Sequence, residues 1–245
     1  MSARLAEIRC HPIKGIGHWA PDQADVSPQG ALHGDRAWAL LTERAEDTDA
    51  WQRRKNFLVV ANGPDLAPIS AEPLEGGQIA LTHPRRDRLV FDPETEAQAL
   101  RDWLGDLWPE RQPGPARLVR AKGHGMTDMP DPFVSIGSRA SLAALSEIAG
   151  MDVDPRRFRI NLWIDGWAAW AETQMVGQRL KIGPVELEID QPIERCRAPD
   201  ANPETGTRDI PMLGVLMDNR DTRDFGLYAR VLNPGTLTLG DPVSP

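Results

Sequence analysis

The sequence predicts a mixed α+β protein that is mainly β. Short apolar runs alternate with polar residues, most clearly at 185–189, where three aliphatic side chains alternate with acidic ones, as in a strand with one buried face. The chain also contains 22 prolines and 21 glycines, which divide it into short segments joined by turns. Only a few stretches have the period of a helix, so helices are expected to be a minor component.

The first half of the chain predicts a small β-rich unit. Strands are predicted at residues 5–10 and 37–41, and repeated prolines and glycines between 63 and 91 indicate further short strands with tight turns. Residues 94–104 have acidic groups in the first turn and apolar side chains on one face. This pattern predicts a helix that ends at Gly105.

A segment rich in proline and glycine, 109–115, separates two predicted domains. We place an N-terminal β-rich domain at 1–112 and a second domain at 113–245. The second domain is predicted to have strands at 117–119, 158–164 and 237–239 and a short helix that begins near residue 213.

One longer helix is predicted in the second domain. Ser138 is suited to cap its N-terminus, and Gly150 is suited to end it. Leu142, Leu145 and Ile148 recur at helical spacing and are expected to face the core.

The composition excludes several classes of protein. A hydrophobic content of 40% can fill a sizeable core, whereas a formal net charge of -8 argues against a general binder of nucleic acid or of anionic membranes. Charged residues interrupt the N-terminus and no apolar run could span a bilayer, so a cytoplasmic protein is expected. The negative charge of this chain also predicts that a protein electron donor would use a basic face of its own to dock on it.

The strand at 185–189 leads to the more informative of the two cysteines. Pro192 is predicted to end that strand, and Cys196 follows between Arg195 and Arg197, at the start of a loop rich in turn-forming residues. Flanking guanidinium groups favour a thiolate, which binds soft metals or attacks electrophiles. A small buried hydrophobic residue is the alternative interpretation of Cys196. Cys10 and Cys196 form no disulfide framework.

Two short motifs around Cys196 resemble the signature of the MOSC domain family. Residues 192–196 match its P-x-x-R-C pattern, and residues 202–206, Asn-Pro-Glu-Thr-Gly, stand where the family has D-P-x-T-G. Further pieces in the family's order occur at 11–15, 34–36, 131–133, 158–161, 233–235 and 240–242. The resemblance covers nearly the whole chain and is strongest to the two-part, amidoxime-reducing members, which implies a MOSC β-barrel preceded by an N-terminal β-rich domain.

The resemblance also implies a bound cofactor, a pyranopterin with molybdenum. Cys196 would ligate the molybdenum and be the catalytic residue. The cofactor would be bound by Lys14, Arg36, Arg159, Asn161 and Arg195. Relatives have an acidic residue beside the pterin, and both Asp131, which we assign, and Asp128 precede Phe133 closely enough to compete for that role.

The implied activity is that of a molybdenum-dependent oxidoreductase, which reduces N–OH to N–H by two electrons in a small N-oxygenated substrate. The chain has no second cysteine cluster for an iron–sulfur centre and no glycine-rich dinucleotide motif after a strand. A separate electron donor of flavin, haem or ferredoxin type is therefore implied. The alternatives are a non-enzymatic carrier of the cofactor or of sulfur, and a scaffold in which the cysteine is incidental.

Overall fold

A computed structural model of the chain describes residues 2–46, 48 and 50–245. The strands in chain order are β1 (Arg4–Ile8), β2 (Gln23–Ser27), β3 (Ala31–Leu32), β4 (Trp38–Thr42), β5 (Ser70–Pro73), β6 (Ile79–His83), β7 (Arg86–Phe91), β8 (Pro115–Arg120), β9 (Phe133–Ser138), β10 (Leu162–Asp165), β11 (Arg179–Ile182), β12 (Val185–Glu194), β13 (Asp224–Val231), β14 (Gly235–Thr238) and β15 (Val243–Ser244). The α-helices are α1 (Ala97–Leu104), α2 (Arg139–Ala149) and α3 (Met212–Arg220). The predicted fold class, mainly β with a few helices, is confirmed.

The largest sheet contains seven strands in the order β1-β10-β9-β13-β12-β11-β15 and curls into a nearly closed barrel. Every neighbouring pair is antiparallel except β10 with β9. The two outer strands approach each other, because Leu5 N–H donates to Asp241 O and Val243 N–H donates to Ala3 O, both at 2.9 Å. The apolar faces of these strands enclose one buried core.

The first strand of the chain thus belongs to the same barrel as the last. Buried side chains from β1, β2 and β3 pack with those of β9 to β15. A second core lies in the N-terminal half, where α1 packs on β7 and the sheets β4-β8 and β5-β6-β7 meet. Because β8 pairs with β4, the strand that follows the predicted boundary completes an N-terminal sheet. The boundary at 112/113 itself stays a prediction.

Helix α2 begins and ends where the sequence predicts. Ser138 Oγ accepts a hydrogen bond from Ser141 N–H at 3.2 Å, and Gly150 ends the helix in the left-handed region with φ 68°. Leu142 and Leu145 are buried, as expected. The prediction for Ile148 was wrong, because its side chain is 36% exposed at the helix surface.

Three predicted strands differ from the observed ones. The segment 158–164 is a strand only from Leu162, because the 3-10 turn Pro155–Phe158 and a left-handed Arg159 precede it. Strand β12 continues through Pro192 to Glu194, since register shifts around Pro192 accommodate a residue that has no N–H to donate. The predicted closing strand 237–239 is β14, which pairs with β2, whereas β15 closes the barrel.

Within the described residues, no helix combines the length and the apolar character needed to cross a bilayer. The cytoplasmic location stays a prediction.

Candidate cofactor site

A cavity of about 470 Å³ lies between the N-terminal half of the chain and one end of the barrel. Its walls come from the loop after β1, the loop before β9, the turn before β10 and the end of β12. Six of the seven predicted site residues line it: Lys14, Arg36, Arg159, Asn161, Arg195 and Cys196. These positions are widely separated in sequence, and the barrel brings them together at one end.

Lys14 lies in the loop after β1 and is only 3% exposed. Its backbone N–H donates to Trp38 O at 2.7 Å, and its Nζ donates to Asp128 Oδ1 at 2.5 Å. Burial lowers the pKa of Lys14, and the Asp128 charge partly offsets that effect. The next residue, Gly15, has φ 75°, a conformation that favours glycine. A Cβ at this position would lie 2.4 Å from Leu58 O, so glycine also allows the loop to pack closely on the segment at Leu58.

Arg36 is fixed by a buried network that begins at His11. Asp35 Oδ1 accepts from His11 N–H at 2.8 Å and lies 3.1 Å from His11 Nδ1, while Asp35 Oδ2 pairs with Arg36 Nη1. Although burial alone would raise the pKa of Asp35, the Arg36 charge and the His11 bonds hold it well below its usual range. Burial and the nearby arginines lower the pKa of His11 well below its ordinary value, against the opposing effect of Asp35. Arg36 Nη2 in turn donates to Arg159 O at 3.0 Å.

Arg159 is a cation without an acidic partner in the described part of the chain. Its Nη2 donates to Gly17 O at 3.3 Å, and burial together with the Arg36 charge lowers its pKa. Arg36 and Arg159 both have left-handed backbones, with φ 50° and 51°. Such conformations cost about 1–3 kcal/mol each for residues other than glycine and cluster at functional sites. Backbone strain and like-charge repulsion therefore coincide at this end of the cavity.

Asn161 uses its side-chain amide within the protein. Its Oδ1 accepts from Ser135 Oγ at 2.8 Å and from Ser135 N–H at 3.2 Å, and its Nδ2 donates to Arg9 O at 3.1 Å. These bonds connect β9 and the segment after β1 to the turn before β10. The predicted contact of Asn161 with a cofactor stays a prediction, and its visible role is to position the cavity wall.

Arg195 also points into the protein. Its Nε donates to Phe225 O at 2.7 Å and its Nη1 donates to Phe158 O at 2.9 Å. Burial lowers the pKa of Arg195 to about 10. This guanidinium ties the residue before Cys196 to β13 and to the turn before β10, so it positions the thiol segment.

Cys196 is half-buried and lines the cavity two residues beyond the end of β12. Its Sγ accepts from Ala198 N–H at 3.4 Å. The two flanking guanidinium groups do not both face the thiol, because Arg195 binds backbone carbonyls and Arg197 extends outward, 3.4 Å from Asp200. No group of three or more His, Cys, Asp or Glu side chains in the described chain could bind a metal ion together.

The structure distinguishes the two candidate acids by their positions. Asp128 lines the cavity and pairs with Lys14. Asp131, which we assigned, is not among the lining residues and lies 3.5 Å from Arg230 at the surface. Spacing from Phe133 could not separate them, because the ion pair with Lys14 joins segments that are distant in sequence.

Sequence reasoning also missed a cavity residue on β13. Tyr228, the single tyrosine of the chain, lines the cavity and stacks on Phe133 with ring centroids 5.4 Å apart. Burial raises its pKa. The available signal was the single tyrosine of the sequence, which lies in the middle of β13.

The second signature motif, 202–206, contributes to the interface between the two halves of the chain. A Cβ on Gly206 would lie 2.5 Å from Asp65 Oδ1, so the loop packs closely on the N-terminal half. Nearby, Arg208 donates to Ala61 O at 2.7 Å and to Arg197 O at 2.9 Å. Arg208, two residues after the motif, therefore ties the Cys196 segment to the opposite wall, which includes Ala61.

Comparison with known families agrees with this arrangement. The MOSC domain model matches residues 122–244, and the model of the MOSC N-terminal beta barrel domain matches residues 2–114. The chain belongs to the MOSC domain family. Its two-domain architecture follows from the same two matches.

Named relatives of this MOSC protein fall into two groups. Human mitochondrial amidoxime-reducing component 1 is 33% identical over 98% of this chain and 82% of its own length. A molybdenum cofactor sulfurase of Caenorhabditis briggsae is 26% identical over 91% of this chain, which corresponds to 32% of that protein. Among solved structures, the YUAD protein of Bacillus subtilis aligns with 99% of this chain and 94% of its own at a TM-score of 0.48 and 13% identity.

Proposed function

We propose that this chain binds a pyranopterin molybdenum cofactor in the cavity and reduces N-oxygenated compounds, with electrons from a separate donor. The observation that carries the proposal is the combination of groups that line one cavity. Lys14, Arg36 and Arg159 lie close enough for their charges to act on one another, and the thiol of Cys196 lines the same cavity. A phosphate-bearing ligand with a soft metal requires cations in one place and a thiolate in another.

The residues present fit such a ligand. Arg159 has no acidic partner among the described residues, and the positive charge of Arg36 lowers its pKa further. A dianionic phosphate would replace this repulsion by charge-assisted hydrogen bonds. Lys14 forms an ion pair with Asp128. When an anion binds, Lys14 can pair with the anion in place of Asp128.

When bound, the cofactor supplies two-electron redox chemistry at the molybdenum. The chain positions it: Lys14, Arg36 and Arg159 bind the anionic end, and the thiolate of Cys196 ligates the metal. Arg195 fixes the thiol segment through Phe225 O and Phe158 O, so that the sulfur is presented at a defined place. Asp128 lies on the same wall with a side chain that is 42% exposed. Although burial alone would raise the pKa of Asp128, the ion pair with Lys14 holds it below its ordinary value, so this carboxylate is suited to accept hydrogen bonds beside the substrate.

Purification from a molybdenum-replete host tests the proposal. The protein should contain molybdenum and pterin in equal amounts, and it should reduce a model amidoxime or hydroxylamine with reduced viologen but not with NADH or NADPH alone. The rate should be proportional to the molybdenum content. Protein that contains neither metal nor pterin, or that contains another metal stoichiometrically, would contradict the cofactor assignment.

A carrier of the cofactor or of sulfur is the second candidate, and the match to molybdenum cofactor sulfurase favours it. The two functions differ in their products. A carrier would transfer its pterin or a sulfur atom to an apo-enzyme and stay inactive with viologen across a panel of N-hydroxylated substrates. A reductase would complete many turnovers without transferring the cofactor.

A further inference from the structure

A second cavity, of about 220 Å³, lies in the MOSC domain. Its walls come from the 3-10 turn Ala171–Gln174 with the residue before it, from the end of α3, and from the first half of β13. Pro192 lines both this second cavity and the proposed cofactor cavity, whereas Cys196 lines only the latter. The second cavity is therefore a neighbour of the cofactor site and not a part of it.

Aromatic rings form the apolar side of the second cavity. Trp170 and Phe225 both line it, with ring centroids 6.0 Å apart in an edge-to-face arrangement. Trp170 N–H donates to Ser141 Oγ at 2.7 Å, which ties the tryptophan to α2. The guanidinium of Arg220 lies 4.3 Å from the centroid of the Trp170 ring. The wall thus has a surface on which a planar cation can stack.

A buried carboxyl group gives the second cavity a polar side. Glu172 lines it and is only 2% exposed. Its Oε2 accepts from Ser141 Oγ at 2.8 Å, and it forms no ion pair with a residue that the structure describes. Burial raises the pKa of Glu172, against the opposing effect of the Ser141 bond. Glutamate is rarely buried so completely without a partner of opposite charge, so this group can accept a cation from outside the chain.

The charges around the second cavity also favour a cation. Two acids, Glu172 and Asp224, and one cation, Arg220, line it, and neither acid forms an ion pair within the described chain. Within two residues of the lining positions, the chain adds Asp190, Glu194, Asp218, Asp221 and Arg223. Acids therefore outnumber arginines both on the wall and in the segments next to it.

We propose that the second cavity binds a small organic cation with a flat apolar body, of the amidine or guanidine class. The cationic group pairs with Glu172, and the apolar body packs on Trp170 and Phe225. The volume lies below the range of about 300–1,000 Å³ that is usual for ligand pockets, so the ligand is the size of one substituted ring. The class includes the amidines that reduction of amidoximes yields, although binding itself does not depend on the proposed reductase function.

Calorimetric titration with three ligands of the same shape tests the inference. Benzamidine is a cation at neutral pH, benzamide is neutral, and benzoate is an anion. The parent protein should bind benzamidine, and it should bind benzamide and benzoate about tenfold more weakly or worse, because neither provides a charge opposite to that of Glu172.

Two substitutions should change benzamidine affinity in opposite directions. Glu172→Gln removes the charge but keeps an acceptor for Ser141, and it should weaken binding about tenfold or more. Arg220→Gln removes the cation that competes for the Trp170 ring, and it should strengthen binding about two- to fivefold. Glu188→Gln and Arg179→Gln, at exposed positions on β12 and β11, are the matched controls and should stay within about twofold of the parent.

A further variant distinguishes the two cavities. Asp128→Asn changes an acid on the cofactor cavity and should leave benzamidine affinity unchanged. Weaker binding in Asp128→Asn but not in Glu172→Gln would place the ligand in the cofactor cavity and overturn the proposal.

Three other results would also overturn it: equal affinity of the parent and Glu172→Gln, tighter binding of benzoate than of benzamidine, or no binding of benzamidine by the parent. Thermal unfolding shows whether Glu172→Gln is folded. If it is not, the opposite effect of Arg220→Gln and the comparison of the three ligands on the parent still decide the outcome.

Discussion

The two parts of the cavity wall are built in opposite ways. The cationic part, at Lys14, Arg36 and Arg159, combines buried charges with two left-handed arginines and has too few acids to balance them. The thiol part, at Cys196, is half-exposed, has no backbone strain, and is fixed by ordinary hydrogen bonds to carbonyl groups.

This difference indicates which part depends on a ligand. Unbalanced buried charge and strained backbone cost free energy that an anion can offset, so the cationic part is preorganised for binding. The thiol part has its hydrogen bonds formed within the protein and needs no ligand for its stability. Its contribution to function is therefore the chemistry of the Cys196 sulfur atom. Changes at the two parts should accordingly have different consequences for binding, stability and turnover.

The largest expected effect is at the thiol part. Cys196→Ala should abolish turnover and remove one sulfur neighbour from molybdenum in its X-ray absorption spectrum, while pterin content and melting temperature stay close to those of the parent. Cys10→Ala is the control, because Cys10 is buried in the barrel core and its loss should cost about 1 kcal/mol of stability without affecting the spectrum. An active, molybdenum-loaded Cys196→Ala protein would exclude the ligand role.

The second-largest expected effect is a loss of folding stability when Asp35, in the cationic part, is replaced. Asp35→Asn removes the acid that balances Arg36, and breaking such a buried pair should lower the free energy of unfolding by about 3–5 kcal/mol. The pKa of Asp35 is held below its unfolded value, so its stabilisation is present above about pH 4 and is lost as the pH falls further. Urea unfolding at a series of pH values should therefore show the gap between parent and variant closing below about pH 4. A gap that does not depend on pH would contradict the assigned pairing.

A moderate effect on ligand binding is expected at Arg159. Arg159→Ala should lower pterin content or affinity about tenfold or more, because it removes charge-assisted bonds to an anion. The stability of the cofactor-free protein should be unchanged or higher, since a half-buried cation that forms no ion pair with the described residues is lost. Arg179→Ala, an exposed arginine on β11, is the control for charge. Equal pterin content in all three proteins would show Arg159 to be unrelated to binding.

The smallest expected effect is the difference in stability between two variants of Arg159, which separates the cost of its left-handed backbone from the effect of its charge. Because Arg159 has φ 51°, glycine should adopt this backbone more easily than alanine. The cofactor-free Arg159→Gly protein should therefore be about 1 kcal/mol more stable than Arg159→Ala, whereas both should bind pterin equally poorly. Thermal unfolding of the two variants measures the difference, and identical stabilities would remove backbone strain from the description of the cationic part.

Local signals in the sequence predicted local structure well. Ser138 and Gly150 marked both ends of α2, and strand β4 occurs within one residue of the predicted 37–41. Prediction was wrong where tertiary contacts prevailed over local preference. Pro192 did not end β12, because shifted register accommodates it, and Arg159 interrupted a predicted strand with a left-handed turn.

The site could be predicted only in part, for a similar reason. Motifs drew attention to six side chains that do line one cavity. They could not show that the polar groups of Asn161 and Arg195 are committed to other protein groups, or that Asp128 and not Asp131 reaches the wall. Those facts depend on contacts between segments far apart in the chain, which no local pattern encodes.

The most direct test of the account is the molybdenum and pterin content of parent, Arg159→Ala and Cys196→Ala proteins purified side by side from one molybdenum-replete host. The account predicts both components in equal amounts in the parent, about tenfold less of both or lower still in Arg159→Ala, and retained pterin without turnover in Cys196→Ala. Absence of pterin from the parent, or undiminished pterin in Arg159→Ala, would contradict the claim that the cationic part of the cavity binds the cofactor.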